Sequence, residues 1–181
     1  MALGEICELK AGKAISASNI SHVQNAEHKY PCMGGNGIRG YVKKFSHIGQ
    51  YPLIGRQGAL CGNICYAIGH FYATEHAVVV SYKNNFNARF LYHLLITMNL
   101  NQYATGGAQP GLSVTKLNSI KIPIPSLAEQ ERIVGILDKF DALVNDISAG
   151  LPAEMSARRQ QYEHYRNRLL SFEPTGATEV Q

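Results

Sequence analysis

Carboxylates are scarce where catalysis would need them. In this chain of 181 residues, the stretch 28–128 holds a single acid, Glu75, and no aspartate occurs before Asp138. A two-metal nuclease needs clustered carboxylates to hold hard cations, and one glutamate cannot supply them. A Ser–His–Asp or Cys–His site would likewise lack an aspartate to orient its histidine. Charged residues make up only 17% and apolar residues 45%; a disordered or supercharged chain is excluded by that balance. No apolar run approaches the ~20 residues that span a membrane. No basic start followed by an apolar stretch marks a secretory leader. A cytoplasmic protein is therefore expected, with Cys7, Cys32, Cys61 and Cys65 as reduced thiols.

What is present is unevenly spread. The net charge of +4 conceals a basic block, residues 28–128, with nine Lys/Arg against Glu75, and a mixed-charge segment, 129–181, with six Lys/Arg against nine Asp/Glu. Nine of the 17 glycines lie between Gly34 and Gly69. The texture changes near Pro125, from glycine-punctuated β-like sequence to helix-forming sequence. An α+β fold follows: a curved, glycine-rich sheet domain with a short helix over 1–125, a kinked or two-part helical stalk over 126–172 with a coiled-coil-like seam, and a disordered tail over 173–181.

Within the first part, Tyr30–Met33 and Arg39–Phe45 read as strands around Gly34-Gly35-Asn36-Gly37, whose glycines suit a tight turn. Tyr51–Arg56 and Ala59–Ile68 read as a second pair around Gln57-Gly58, and Gly69-His70 as a further turn. Phe71–Tyr82 contains Ala77-Val78-Val79-Val80, long enough for a buried strand and too short for a helix. Asn87 is placed as an N-cap for a helix whose Phe90, Leu91, Leu94, Leu95 and Met98 form one apolar stripe and which runs to Thr105-Gly106-Gly107. Ser126-Leu127-Ala128-Glu129 is a capping box opening a helix with Ile133, Leu137, Phe140, Val144 and Ile147 at 3–4 spacing. Gly150-Leu151-Pro152 interrupts it. Met155, Tyr162, Tyr165, Leu169 and Phe172 then fall close to an a/d seam.

Several motifs carry a bland reading beside a sharp one. Gly35-Asn36-Gly37-Ile38-Arg39-Gly40 matches G-x-G-x-x-G, but a dinucleotide site needs a following helix and an acid about 20 residues on. Strand-like residues follow instead, so the glycines are expected in a turn that lets backbone approach a surface closely. Cys61-x3-Cys65, with His70 and His76 nearby, permits zinc, yet no second ligand pair follows, and buried thiols fit better. Glu75-His76 reads as a simple ion pair or as an acceptor for a cytosine amino group.

The basic block is the main positive signal. Nucleic-acid binders neutralise phosphates with Lys/Arg and keep carboxylates away from them. A merely solvated basic surface would fit the composition equally well. What favours a reader is the interleaving of Asn36, Arg39, Arg56, Gln57, Gln109, Ser113 and Thr115 with glycine-rich turns. Asn and Gln pair bidentately with adenine, and Arg with guanine. Lys43, Lys44 and Lys116 are candidates for phosphate contacts, while Asn36, Arg39, Arg56, Gln57 and Gln109, with Glu75, His76, Ser113 and Thr115, are candidates around the base edges. The seam residues Ile133, Leu137, Phe140, Val144, Met155, Tyr162, Tyr165, Leu169 and Phe172 are candidates for a partner interface. Two other classes stay open at this point: a small nuclease or nucleotide-dependent enzyme using the Gly-rich segment, and an interaction protein whose basic block meets an acidic partner.

The segment Ile122-Pro123-Ile124-Pro125-Ser126-Leu127-Ala128-Glu129-Gln130-Glu131-Arg132-Ile133-Val134 is similar to the proline-then-EQ-x-x-I segment that ends a recognition domain in type I restriction–modification specificity subunits. Gly150–Met155, Arg158–Arg166 and Leu169–Phe172 resemble that family's helical conserved region. Leu3-Gly4-Glu5-Ile6, Gly34–Gly37 and Ala108–Ser113 agree with its N-terminal and loop patterns. The resemblance covers about residues 3–172. It implies a non-catalytic reader of double-stranded DNA that scaffolds modification (methyltransferase) subunits, which bind S-adenosylmethionine, and is joined by a restriction subunit. No cofactor is expected in this chain itself. The usual member resembles two recognition domains and two helical regions, and this chain has one of each. A homodimer through the C-terminal helices, reading an inverted repeat, is the resulting expectation.

Overall fold

The computed structural model describes residues 1–58, 60–82, 86–106, 110–145 and 150–170. The chain divides into two compact units, Met1–Val134 and Gly135–Gln181. In chain order the elements are α1 (Leu3–Ile6), β1 (Cys7–Ala11), β2 (Tyr30–Gly34), β3 (Gly37–Val42), β4 (His47–Gly55), β5 (Ile64–Ala73), β6 (Ala77–Tyr82), α2 (Ala88–Thr97), α3 (Val114–Asn118), α4 (Leu127–Asn145) and α5 (Leu151–Leu170). Among the described residues no helix is long and apolar enough to cross a membrane. The mixed α+β class and the glycine-rich sheet are as the sequence led us to expect.

The first unit is built on one six-stranded sheet in the order β1-β6-β4-β5-β2-β3. Every pairing is antiparallel except β2 with β5, which run parallel through Cys32 and Met33 opposite Tyr72 and Ala73. The apolar run of β6 explains how two cores share this sheet. Side chains alternate across a strand, so Val78 and Val80 join Ile54 and the helices α1, α2 and α3 in one cluster, through Leu3, Leu91, Leu95 and Leu117. Val79 points the other way and packs with Met33, Leu53, Ala67, Phe71 and Ala73. A strand buried on both faces reads as a continuous apolar run, which is why Ala77–Val80 was legible.

Several element boundaries differ from the sequence expectation. Gly69 and His70 do not make a turn but lie inside β5. Gly69 pairs with Gly49 of β4, and both have positive φ, +79° and +130°. Glycine reaches this region without a Cβ clash, so the long hairpin bends there without breaking its ladder. β5 begins at Ile64 rather than Ala59, so Cys61 is in the loop before it. β3 ends at Val42, which leaves Lys43, Lys44 and Phe45 beyond the strand. α2 ends at Thr97 and is followed by a single 3₁₀ turn, Leu100–Tyr103, entered through Asn99 in the left-handed region. Asn87 does cap α2, its Oδ1 accepting from the amides of Arg89 and Phe90.

The start of α4 is fastened to this unit by hydrogen bonds. Ser126 Oγ accepts from the Glu129 amide, completing half of the expected capping box. The Glu129 carboxylate turns instead to Arg132, at 2.7 and 2.8 Å. Gln130 is fully buried. Its Oε1 accepts from the Asn87 amide at 2.9 Å and its Nε2 donates to the Pro125 carbonyl at 3.1 Å, so one side chain holds the entry of α4 against the cap of α2.

Candidate DNA interface

Three backbone segments meet at one rim of the sheet: the β2–β3 turn, the loop from Arg56 to Asn63, and the Thr74–His76 turn. Glycine makes the meeting possible. A Cβ on Gly35 would stand 3.0 Å from the His76 carbonyl oxygen and 3.3 Å from the Gly55 Cα, and a Cβ on Gly55 would collide with the Gly35 carbonyl. Arg56 ties the segments together through its main chain, donating to the His76 carbonyl at 3.0 Å and accepting from the Leu112 amide at 2.9 Å. The result is a cleft of about 350 Å³ lined by Gly35, Asn36, Arg39, Gln57, Leu60 and His76.

The direction of Arg39 comes from a local irregularity. The β2–β3 register shifts between Cys32, opposite Gly40, and Met33, opposite Ile38. Arg39 is thus the extra residue of a β-bulge, a device that re-aims a side chain. Its stem crosses the Cα of Gly34, where a Cβ would sit 2.6 Å from Arg39 Cδ. Asn36 is held differently: its Oδ1 accepts from Asn63 Nδ2 at 2.7 Å. The cleft therefore offers a guanidinium, two primary amides and an imidazole within one opening, a set able to donate to and accept from base edges.

Glu75 is the acid of this rim. Its Oε1 lies 3.3 Å from His76 Nε2, while its Oε2 and the Nε of Arg56 are buried without a hydrogen-bond partner. Within β2, burial pushes the Cys32 thiol up, with Arg39 drawing it down and Glu75 pushing it up. Burial also raises Cys61 and Cys65. The two do not share a strand face: Cys61 belongs to the helix-side core and Cys65 packs against the other. All four cysteines are free thiols.

The structure thus gathers Asn36, Arg39, Gln57 and His76 around one cleft, with Arg56 and Glu75 beside it. Other candidates stand elsewhere. Lys43 and Lys44 follow the far end of β3, about 20 Å from the Asn36 turn at ~3.3 Å per residue. They line a separate hollow of about 320 Å³ with Ile15, Asn19, Val42 and Tyr72. Lys43 is 2.6 Å from Glu27, and that pairing holds the Glu27 carboxyl below its ordinary value. Ser113 caps α3, its Oγ accepting from the Lys116 amide at 3.1 Å, and Thr115 and Lys116 are exposed on that helix. Gln109 lies outside the described residues. Leu60 and Asn63 are not among the residues expected from sequence, because the stretch reads as strand; Gly58 and Gly62, four residues apart, are the available sign of a loop.

In the helical segment, Ile133 is half-buried against the core of the first unit, and Leu137 is half-buried. Phe140, Val144, Met155, Tyr162 and Tyr165 are exposed. On α5, Arg159 pairs with Glu163 at 3.3 Å and Arg166 lies over the Tyr162 ring at 5.8 Å. Phe172 and the Leu169 side chain lie outside the described residues.

The chain is 56% identical over 146 residues to the type I restriction enzyme EcoprrI specificity subunit of Escherichia coli, an alignment covering 81% of this chain and 36% of that protein. The fold resembles the crystal structure of the type I restriction–modification system S subunit from M. genitalium, with a TM-score of 0.70 at 19% identity over 96% of this chain and 46% of that one. It also resembles the HsdS subunit from Thermoanaerobacter tengcongensis, with a TM-score of 0.61 at 19% identity over 89% of this chain and 42% of that one. The chain spans less than half the length of each of these proteins. The family model of the type I restriction modification DNA specificity domain matches residues 1–157, and the chain belongs to that family of specificity subunits.

Proposed function

We propose that this chain is a non-catalytic DNA reader that recognises one half-site of a double-stranded target through the cleft of Asn36, Arg39, Gln57 and His76. The observation that carries the reading is their convergence. Four side chains able to read base edges come from three separate segments, and rigid backbone contacts hold them around one opening. Arg39 suits guanine, and Asn36 and Gln57 suit adenine. Lys43, Lys44 and Lys116 supply phosphate contacts away from the cleft; these add affinity without sequence preference.

The C-terminal helices serve assembly. α5 is about 30 Å long at ~1.5 Å per residue, and its exposed Met155, Tyr162 and Tyr165 suit a seam with partner helices. Two copies paired antiparallel about a two-fold axis form a homodimer that reads an inverted repeat, with half-sites about one DNA turn apart. The same helices dock modification (methyltransferase) subunits, which hold S-adenosylmethionine, and a restriction subunit joins for cleavage. The work is cytoplasmic.

Selection from a random duplex pool, with the matching modification subunit present, tests the whole reading. An enriched inverted repeat is expected, and no enrichment over the input pool would refute it. With the target in hand, Arg39→Ala loses about 1–3 kcal/mol at one base position only, whereas Lys116→Ala weakens all sequences alike and flattens the salt slope by about one unit. Equal losses across every sequence for both would sink the division of labour. Light scattering at micromolar concentration checks the homodimer, which a persistent monomer overturns.

A further inference from the structure

The cleft holds one residue whose chemistry differs from its neighbours. Leu60 is 55% exposed yet lines the opening beside Asn36, Arg39, Gln57 and His76. A lone exposed leucine is ordinary on a protein surface. This one is unusual for the way its backbone is held. Leu60 O accepts from the Asn63 amide at 3.1 Å, and around it the Cys61 amide donates to Gly58 O at 3.0 Å and the Gly62 amide to Gly55 O at 2.8 Å. Cys61, next in sequence, is buried in the core, and its carbonyl accepts from Asn101 Nδ2 at 2.8 Å. The loop is thus anchored on the C-terminal side of an apolar side chain that is left outside. Leu60 also borders a second hollow of about 410 Å³ lined by Ile64, Ile96, Asn99 and Asn101, so it stands as a ridge between two grooves.

Hydrogen-bonding side chains distinguish guanine, adenine and cytosine by donor and acceptor patterns. Thymine adds a feature that they do not read, the C5-methyl group, which is recognised by apolar contact. We infer that Leu60 is a specificity-determining residue that packs on a thymine methyl in the major groove, at a base position adjacent to those read by the polar side chains of the cleft. The inference rests on the DNA-reading role proposed above. A wedge inserted between base steps is the other use of an exposed leucine on DNA. The polar groups around Leu60 favour the methyl contact, because they need the base pairs beside it to stay stacked with their edges presented.

Two random duplex pools, one made with thymidine and one with deoxyuridine in its place, test this on the intact chain with its modification subunit. With wild-type protein, one thymine position of the enriched half-site loses roughly fourfold of its preference in the deoxyuridine pool, the equivalent of ~0.8 kcal/mol for one methyl withdrawn from water. Leu60→Ala shows no difference between the pools at that position and keeps its preferences elsewhere. Restoring a methyl with 5-methylcytosine opposite guanine at that position recovers part of the lost affinity for wild type alone. Enrichment in both pools with no thymine–uracil difference at any position overturns the Leu60 assignment while leaving the reading role standing. So does a thymine preference that Leu60→Ala retains, or a DNA bend that depends on Leu60 without methyl dependence. No enrichment in either pool overturns the reading role and the assignment with it. The comparison of pools on wild-type protein stands even where Leu60→Ala fails to fold.

Discussion

Phe71 and Phe140 are the same residue in opposite circumstances, and they stand for the two units that hold them. Phe71 is 1% exposed, stacked on His47 at 5.3 Å between ring centroids and edge-on to Tyr51 at 6.0 Å. Phe140 is 60% exposed on α4. The first unit builds its own core on both faces of one sheet, while Ile38, Ile48, Leu60 and Ile68 stay exposed on it. The second places Phe140, Leu143, Val144 and Met155 outside. The difference teaches that buried apolar contact is unevenly divided along the chain. One unit carries its own core, and the other keeps apolar surface that its own helices leave uncovered.

The largest effect expected is on that pair. Phe71→Ala lowers stability by about 4 kcal/mol, combining lost transfer energy with the cavity left behind. In dilute protein Phe140→Ala changes it by at most ~0.5 kcal/mol; the loss grows with protein concentration where copies pair through the seam. Chemical denaturation at two protein concentrations reads both, and a large, concentration-independent loss for Phe140→Ala would break the comparison.

Glycine sharpens it further. Gly55→Ala drives a methyl into the Gly35 carbonyl, an overpacking that lowers stability by about 3 kcal/mol and opens the cleft. Gly135, inside α4, has open space where a methyl would stand, with nothing within 4 Å, and Gly135→Ala stabilises by about 0.5–1 kcal/mol through helix propensity. The same substitution thus has opposite signs in the two units, and a thermal melt of each variant checks it.

Gln130→Ala stands between these in size. It leaves the Asn87 amide and the Pro125 carbonyl without their buried partner, at a cost of about 2 kcal/mol. Hydrogen exchange should show the loss first at the Asn87 cap of α2; unchanged protection there would contradict it.

The smallest effect concerns charge. Lys43 holds the Glu27 carboxyl below its ordinary value, and Arg132 does the same for Glu129. A carboxyl depressed in the folded state stabilises above the ordinary carboxylate range, and the contribution is lost as pH falls through the lowered value. Both groups are exposed, so the change is minor and screened by salt. Carboxyl titration by NMR should return Glu27 toward its ordinary value in Lys43→Met and leave Glu129 where it is.

Much of the local structure was legible because its causes are local. The Gly34–Gly37 turn, the Asn87 cap and the buried strand at Ala77–Val80 follow from backbone sterics, an unpaired helix amide and a continuous apolar run. Gly69-His70 misled because a positive-φ glycine serves equally in a turn and in a bend opposite another glycine, and only Gly49 across the ladder decides between them. The burial of Gln130 was not legible, since a polar side chain shows no sign of the distant amide it will meet. The bulge at Arg39 was invisible for a similar reason: a register shift belongs to two strands at once.

By itself the sequence determined the mixed α+β class, its change of character from an acid-poor, glycine-rich part to a helical one, and the polar residue types interleaved with the glycine-rich turns. Those follow from composition and from periodicities within a few residues. Only the tertiary structure decided that Asn36, Arg39, Gln57 and His76 share one cleft, that Lys43 and Lys44 stand at the other end of β3, and that Leu60 rises between two grooves. Those placements depend on which strands pair and on where glycine lets two backbones touch. Both are long-range choices, made by burying a common core rather than by any neighbour in sequence.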